Sequence, residues 1–193
     1  MTLRREDILE IFKDSGALLE GHFILTSGLH SDKYFQCAKV FQYPWHAEAL
    51  CRDIADHFRD EKIDVVVSPA VGGIVFGQEV GRLLGVRAIF AERVDGQMTL
   101  RRGFEIRPGE RVLLAEDVTT TGGSVKEVLE AVKGMGAEIV AVTAVVDRSG
   151  GNARFEVPYF SLFQMVVTNY EPADCPLCAL GSVAVKPGSR GLK

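Results

Sequence analysis

A chain of 193 residues, 47% hydrophobic and 25% charged, is long enough to bury one sizeable core and has the make-up of an ordinary soluble domain. Its formal net charge of −4 argues against general nucleic-acid binding, which rests on a basic excess. No apolar run approaches the roughly 20 residues that span a bilayer, and acidic residues interrupt "MTLRREDILEIF", so a secretory leader is not expected and the cytoplasm is.

Ile8, Ile11 and Phe12 fall at helical spacing, and the pattern stops near Gly16. Residues 17 to 41 read as short strands broken by the turn "TSGLHSD". Pro44 opens an amphipathic helix, with Ala47, Leu50, Cys51, Ile54, Ala55 and Phe58 on one face. From residue 63 the pattern changes: "IDVVVSPAVGG" is a β-branched run closing in a Gly-rich turn, and a helix with Phe76, Val80, Leu83 and Leu84 on one face follows. "VRAIFAE" is a second strand and "RVLLAED" a third. A helix carrying Val125, Val128, Leu129 and Val132 leads to a fourth strand, "EIVAVTAVVDR". Continuous apolar strands alternating with amphipathic helices indicate an α/β fold, a parallel sheet covered on both faces. The expected organisation is a single domain over residues 1–193, with a core at about 43–150, an N-terminal α+β portion at about 1–42 and a short irregular C-terminal tail.

Cys37 and Cys51 stand alone, while Cys175 and Cys178 form "CPLC". A single CxxC lacks the second pair that a structural zinc site needs from one chain. A redox CxxC normally opens a helix after a strand, and this one lies between prolines in "EPADCPLCALG". A structural turn with free thiols is expected, with metal binding or redox chemistry as the alternatives.

In open α/β sheets ligands bind beyond the carboxyl ends of the strands. Two places fit: "SPAVGG", with Val71 and Gly72, and "EDVTTTGGS". In the second, the turn from Val118 to Ser124 leads into a helix, whose free N–H groups and dipole form an anion site. Gly122 and Gly123 admit an anion close to the backbone, and Thr119, Thr120 and Thr121 add hydroxyl donors, so the turn suits a phosphate. Glu116 and Asp117 would repel a phosphate but accept hydrogen bonds from vicinal hydroxyls. A phosphate cradle beside a diol reader describes a site for ribose 5-phosphate. The alternative is that the two carboxylates merely end a strand and cap a helix. Neither GxxxxGK[ST] nor GxGxxG is present.

"VLLAEDVTTTGGS" resembles the ribose-phosphate motif of type I phosphoribosyltransferases. "FILTSGLHSDKYFQ", with its SGxxSxxY pattern, resembles the N-terminal hood of the orotate phosphoribosyltransferases. "VVSPAVGGIVFGQEVGRLLG" resembles that family's pyrophosphate-side loop and helix, "VVDRSGG" the strand end that supplies an arginine to orotate, and "VKPGSRG" adds to the match. The resemblance implies a type I phosphoribosyltransferase-like sheet with a small hood. It also implies that Thr120 touches the orotate ring, with Tyr34 and Phe35 as hood contacts. Arg148 offers a planar fork for the orotate carboxylate, the alternative being a surface pair with Asp147. Lys33 either faces the site from the hood or faces solvent; the family often has a lysine just before the SG pair, where this chain has Thr26.

Residues 92 to 105, "ERVDGQMTLRRGFE", form a long polar connection, which in a compact domain is often a lid. The corresponding loop of the family closes over pyrophosphate, commonly across a dimer interface, and usually carries lysines and a histidine. This one carries Arg93, Arg101 and Arg102 instead, and arginine binds pyrophosphate well but cannot be a general acid. Arg93, Arg101 and Asp117 are the residues expected to act in catalysis; the alternative for the loop is a solvated hairpin. The implied reaction is transfer of the phosphoribosyl group of 5-phosphoribosyl 1-diphosphate to orotate, in de novo pyrimidine synthesis. Mg²⁺ is implied as cofactor, bound through substrate and water with no direct protein ligand, and a homodimer as the assembly. The rivals are a purine phosphoribosyltransferase and a non-catalytic nucleotide-binding regulator of the same fold.

Overall fold

Helix α1 (Arg5–Asp14) buries Ile8 and Phe12, and closes where the Ser15 hydroxyl donates back to Ile11 O at 2.7 Å. Strands β1 (Leu18–Ile24) and β2 (His30–Phe35) follow as an antiparallel hairpin, so the second half of the expected "TSGLHSD" turn is already strand. The hairpin register slips between Glu20 and Phe23, which sets Gly21 and His22 in a bulge. A further strand was expected to run to residue 41; the chain instead makes a short helix, α2 (Ala38–Phe41), that buries Val40 and Phe41. Helix α3 (Pro44–His57) starts on its proline and buries Ala47, Leu50, Cys51, Ile54 and Ala55 as the spacing requires.

The core runs β3 (Val65–Pro69), α4 (Gly73–Leu84), β4 (Arg87–Val94), β5 (Gln97–Leu100), β6 (Arg111–Thr119), α5 (Gly123–Lys133), β7 (Glu138–Asp147) and β8 (Tyr159–Gln164). These strands form one sheet in the order β5-β4-β3-β6-β7-β8, all parallel neighbours except the antiparallel edge strand β5. Strand alternation sorts the side chains. Val66, Leu113 and Ala115 face Ile54, Phe76 and Val80 of α3 and α4, together with Phe12 and Phe35. Val65, Val67, Val112 and Leu114 face Val125, Val128, Leu129 and Val132 of α5.

Three expectations need correction. The core does not stop near residue 150, because β8 pairs with β7 and completes the sheet. The connection 92–105, expected as a lid with a solvated hairpin as the alternative, contains that hairpin: β4 and β5 pair from Ala91↔Leu100 to Val94↔Gln97. The third strand does not end at Asp117: Val118 and Thr119 still pair with Val146 and Asp147, so the turn proper begins at Thr120.

The C-terminal segment is more ordered than an irregular tail. Strand β9 (Asn169–Tyr170) joins β1 and β2 in a second, three-stranded sheet, and α6 (Pro176–Ala179) packs beyond it. Val185 then exchanges backbone hydrogen bonds with the β1 strand, accepting from the Ile24 N–H at 2.8 Å and donating to His22 O at 2.9 Å. This computed structural model describes residues 2–25 and 27–187; Thr26 and the end of "VKPGSRG" lie outside them. No described helix is long and apolar enough to cross a membrane.

The topology places the site. From β3 the chain crosses to β4 on one side, and β6 lies on the other side of β3. The carboxyl ends of β3 and β6 therefore open onto a topological switch point, where a crevice forms.

Candidate active site

The two turns named by sequence meet in that crevice. After β3 the chain runs through Val71, which is 82% exposed, to Gly72 at the start of α4; the Ala70–Val71 peptide is cis. From β6 the Asp117 carboxylate reaches across, so that a Cβ on Gly72 would stand 2.9 Å from both of its oxygens. Only a glycine leaves this room. Behind Asp117, the Cys37 thiol points at its carbonyl oxygen from 3.9 Å, which ties the hood to the floor of the crevice.

Successive residues of a strand face opposite ways, so Glu116 and Asp117 are not side by side on one face. They still feel each other. Burial raises the Glu116 carboxyl above the usual range, and the Asp117 charge raises it further. Burial raises Asp117 as well, opposed by the backbone N–H groups of Val118 and Asp117. A half-buried acidic pair of this kind is matched by an occupant that brings hydroxyl donors or positive charge.

The phosphate turn is narrower than expected. Thr120 and Thr121 are exposed, Gly122 has φ +75° and starts α5, and Thr121 Oγ1 accepts the Gly123 N–H at 3.3 Å. The left-handed conformation suits glycine alone here, and a Cβ would also strike Phe155 at 2.8 Å. The N–H groups of Ser124 and Val125 lie in the first turn of the helix, where intrahelical partners are lacking. Val118 and Thr119 do not belong to this cradle. Both are strand residues, and Thr119, 1% exposed, acts through its backbone: its carbonyl accepts the Arg148 N–H at 2.8 Å.

Arg148 stands just past the end of β7. The expected alternative, a pair with Asp147, is not what forms; Asp147 is buried and accepts the Ser149 N–H at 2.7 Å. Arg148 Nε is buried without a hydrogen-bond partner among the described residues. Burial lowers the pKa of the guanidinium, and the nearby Tyr34 hydroxyl opposes that shift. Tyr34 of the hood therefore lies within electrostatic reach of Arg148 of the core. Phe35 does not join them: it turns to the other face of β2, is 5% exposed, and packs edge-on against Phe12 at 4.8 Å. Lys33 shares that other face, opposite Glu20 on β1.

The arginines of the hairpin are engaged elsewhere. Arg93 pairs with Glu127 of α5 at 2.8 Å and also donates to Gly96 O. Arg102 grips Glu92 through two bonds of 2.9 and 2.8 Å. Arg101 is exposed. Exposed pairs like these are worth about 0–1 kcal/mol, so they exchange readily for a phosphate. Two neighbours of the site were not legible in the sequence: Cys37 beneath Asp117, and Phe155 against Gly122. Neither sits in a motif, and only the fold brings them in.

A phosphoribosyl transferase domain family matches residues 45–177. The chain is 55% identical over 191 residues to a protein of Caldicellulosiruptor saccharolyticus named orotate phosphoribosyltransferase, covering 99% of this chain and 100% of that one. It is 57% identical to the protein of the same name from Chlorobaculum parvum, with 97% of each chain covered. The crystal structure of orotate phosphoribosyltransferase from Aeropyrum pernix shares the fold, with a TM-score of 0.69 at 21% identity, covering 82% of this chain and 93% of that one. The crevice of the acidic pair, the Thr/Gly turn and the unpaired arginine is thus set in a chain that belongs to the phosphoribosyltransferase family, among the orotate phosphoribosyltransferases.

Proposed function

We propose that the chain transfers the 5-phosphoribosyl group of 5-phosphoribosyl 1-diphosphate to orotate, giving orotidine 5′-phosphate and diphosphate in de novo pyrimidine synthesis. The observation that carries the choice of base is Arg148. A half-buried arginine whose Nε is buried without a partner among the described residues, within electrostatic reach of Tyr34 and one residue from the ladder that ends at the phosphate turn, calls for a planar anion. Orotate brings a ring carboxylate; adenine and hypoxanthine bring none and would leave that cation buried and unmatched.

This reading gives the remaining residues their parts. The turn Thr120–Ser124 cradles the 5-phosphate with backbone N–H groups and hydroxyls. Asp117, with Glu116 behind it, accepts the ribose hydroxyls. Gly72 and Val71 line the side where diphosphate leaves, and exposed Arg101 covers it together with Arg93, which gives up its pair with Glu127. An orotate ring nitrogen attacks the anomeric carbon, the bond to diphosphate oxygen breaks, and the electron pair leaves with diphosphate. The protein contributes position and charge stabilisation.

The raised carboxyls of Glu116 and Asp117, which form no ion pair among the described residues, fit Mg²⁺ held mainly through substrate oxygens and water. When bound, the ion neutralises charge on the diphosphate. The same reading makes the protein a cytoplasmic homodimer acting on small molecules, with neither nucleic acid nor membrane as a partner. Trp45, Val71 and Val75 are exposed apolar side chains, and such surface supports a second subunit. The deciding experiment is loss of orotate absorbance with 5-phosphoribosyl 1-diphosphate and Mg²⁺, with adenine, hypoxanthine and uracil as controls. Turnover of a purine but not orotate would overturn the assignment.

A further inference from the structure

We propose that His22, His30, Cys175 and Cys178 form a closed, four-ligand zinc site that staples the C-terminal segment to the hood. The four donor atoms all lie within 4.8 Å of one another. His22 Nε2 is 2.9 Å from His30 Nδ1 and 3.4 Å from Cys175 Sγ. Cys178 Sγ is 3.3 Å from His30 Nδ1 and 3.8 Å from His22 Nε2. A tetrahedron with Zn–N near 2.1 Å and Zn–S near 2.3 Å has edges of roughly 3.3–3.8 Å; the three imidazole–thiol separations fall in that range, and the two imidazole nitrogens need only move apart by a few tenths of an ångström to admit one ion. A metal-free cluster joined only by hydrogen bonds accounts for single edges; it gives no reason for two imidazoles and two thiols to converge on one point.

The surroundings suit a metal. His22 Nδ1 lies 3.0 Å from Ser182 O. Donation there fixes the tautomer and leaves the Nε2 lone pair aimed at the cysteines, the arrangement that orients metal-bound histidines. Three of the four residues are buried and both cysteines are free thiols. Two thiolates and two imidazoles favour zinc over the oxygen-seeking magnesium, and four protein ligands leave no open position for catalysis. The site is therefore structural, and it is separate from the crevice of Asp117.

The tail also needs such a staple. Helix α6 buries none of its residues, and Leu180 and Val183 are each 83% exposed. Apolar burial does not hold this segment. The ligands come from the β1 bulge, the start of β2 and α6 with its N-cap, so one ion ties together three elements separated by up to 156 residues. His30 and Tyr34 lie on the same strand and the same face, so a fixed His30 also fixes the strand that presents Tyr34 to Arg148. The sequence hides the site because "CPLC" finds its second pair of ligands in the hood, far from any CxxC spacing.

The test uses the untagged, full-length protein purified without added metal, and its readouts do not depend on turnover. Elemental analysis should find about one zinc per chain, and Cys175→Ser with Cys178→Ser should abolish it. Chelated protein should regain metal from Co²⁺ alone, with the intense visible bands and near-ultraviolet thiolate charge-transfer band of a tetrahedral cobalt–thiolate site. Its thermal midpoint should be several degrees below that of the metal-bound form. Zinc below about 0.1 per chain, together with no thiolate band on cobalt titration, would overturn the proposal. So would a Cys175–Cys178 disulfide in freshly purified protein. If the double variant does not fold, the cobalt titration of the unmodified chain decides alone.

Discussion

A methyl group on Gly72 would stand 2.9 Å from both carboxylate oxygens of Asp117, so the loop after β3 and the strand β6 meet at a contact that only a bare Cα allows. Gly72→Ala must therefore push Asp117 away from the ribose position. The loop is exposed and carries little of the core, so stability should change by less than a few degrees. Displacement of a reading group by a fraction of an ångström should lower kcat/KM by on the order of 10- to 100-fold. Unchanged kinetics would mean that Asp117 does not work from this position.

Asp117→Asn tests the same group without moving it. Hydrogen bonds to a charged partner contribute about 1.5–3 kcal/mol, so kcat/KM should fall by roughly 10- to 100-fold or more. Folding should not suffer, because burial already disfavours the charge. Thermal melting and steady-state kinetics on one preparation check both halves. A normal kcat/KM would remove the diol-reading role.

Arg148→Ala should raise the orotate KM with little effect on that for 5-phosphoribosyl 1-diphosphate. Loss of a charged partner for a buried anion costs about 2–5 kcal/mol. Among the described residues the side chain has no carboxylate partner to abandon, and Asp147 accepts the Ser149 N–H instead. The fold should therefore tolerate the change. Equal effects on both substrates would mark the arginine as structural.

The acidic pair predicts a pH dependence of stability. A carboxyl raised in the folded state binds its proton more tightly there than in the unfolded chain. Its contribution to stability is full at low pH and is lost as pH rises from the unfolded value, about 4.3, towards the raised folded one. Glu116→Gln removes that loss. In the ligand-free protein, the melting advantage of the variant should be small near pH 5 and grow towards pH 8, flanking the raised range. A constant difference across that range would show that Glu116 is not raised by burial.

The order of the core was legible because its strands are apolar on both faces and its helices repeat on one. Glu116 and Asp117 drew notice because two acids follow an apolar run, and Arg148 because "VVDRSGG" resembles a family motif. Other features lacked such a signal. Phe35 follows Tyr34 in the hood motif, but strand alternation sends it to the core beside Phe12. Strand β8 lies in "VPYFSLFQ", half-buried at the sheet edge and without the even apolar run of its neighbours. Arg93 and Arg102 read as free lid cations, yet Glu127 and Glu92 answer them, and only the hairpin brings those partners close.

The last prediction concerns the hairpin and the proposed dimer together. Arg93 and Arg102 are held by exposed carboxylates within their own chain, contacts weak enough to be exchanged for the diphosphate of a neighbouring site. Two impaired variants test this: Arg93→Ala with Arg101→Ala in the hairpin, and Asp117→Asn in the crevice. If the hairpin acts in trans, a mixed dimer has one site with both defects and one with neither. Unfolding and refolding an equal mixture should pair the chains at random, making about half of the dimers mixed, and part of the activity should return. If the hairpin acts in cis, every site keeps one defect and activity stays at the level of the parents. No recovery, with mixed dimers demonstrated by mass, would refute the trans arrangement. The ribose-phosphate site would survive that result, because it rests on the meeting of Gly72, Asp117 and the Thr120–Ser124 turn within one chain.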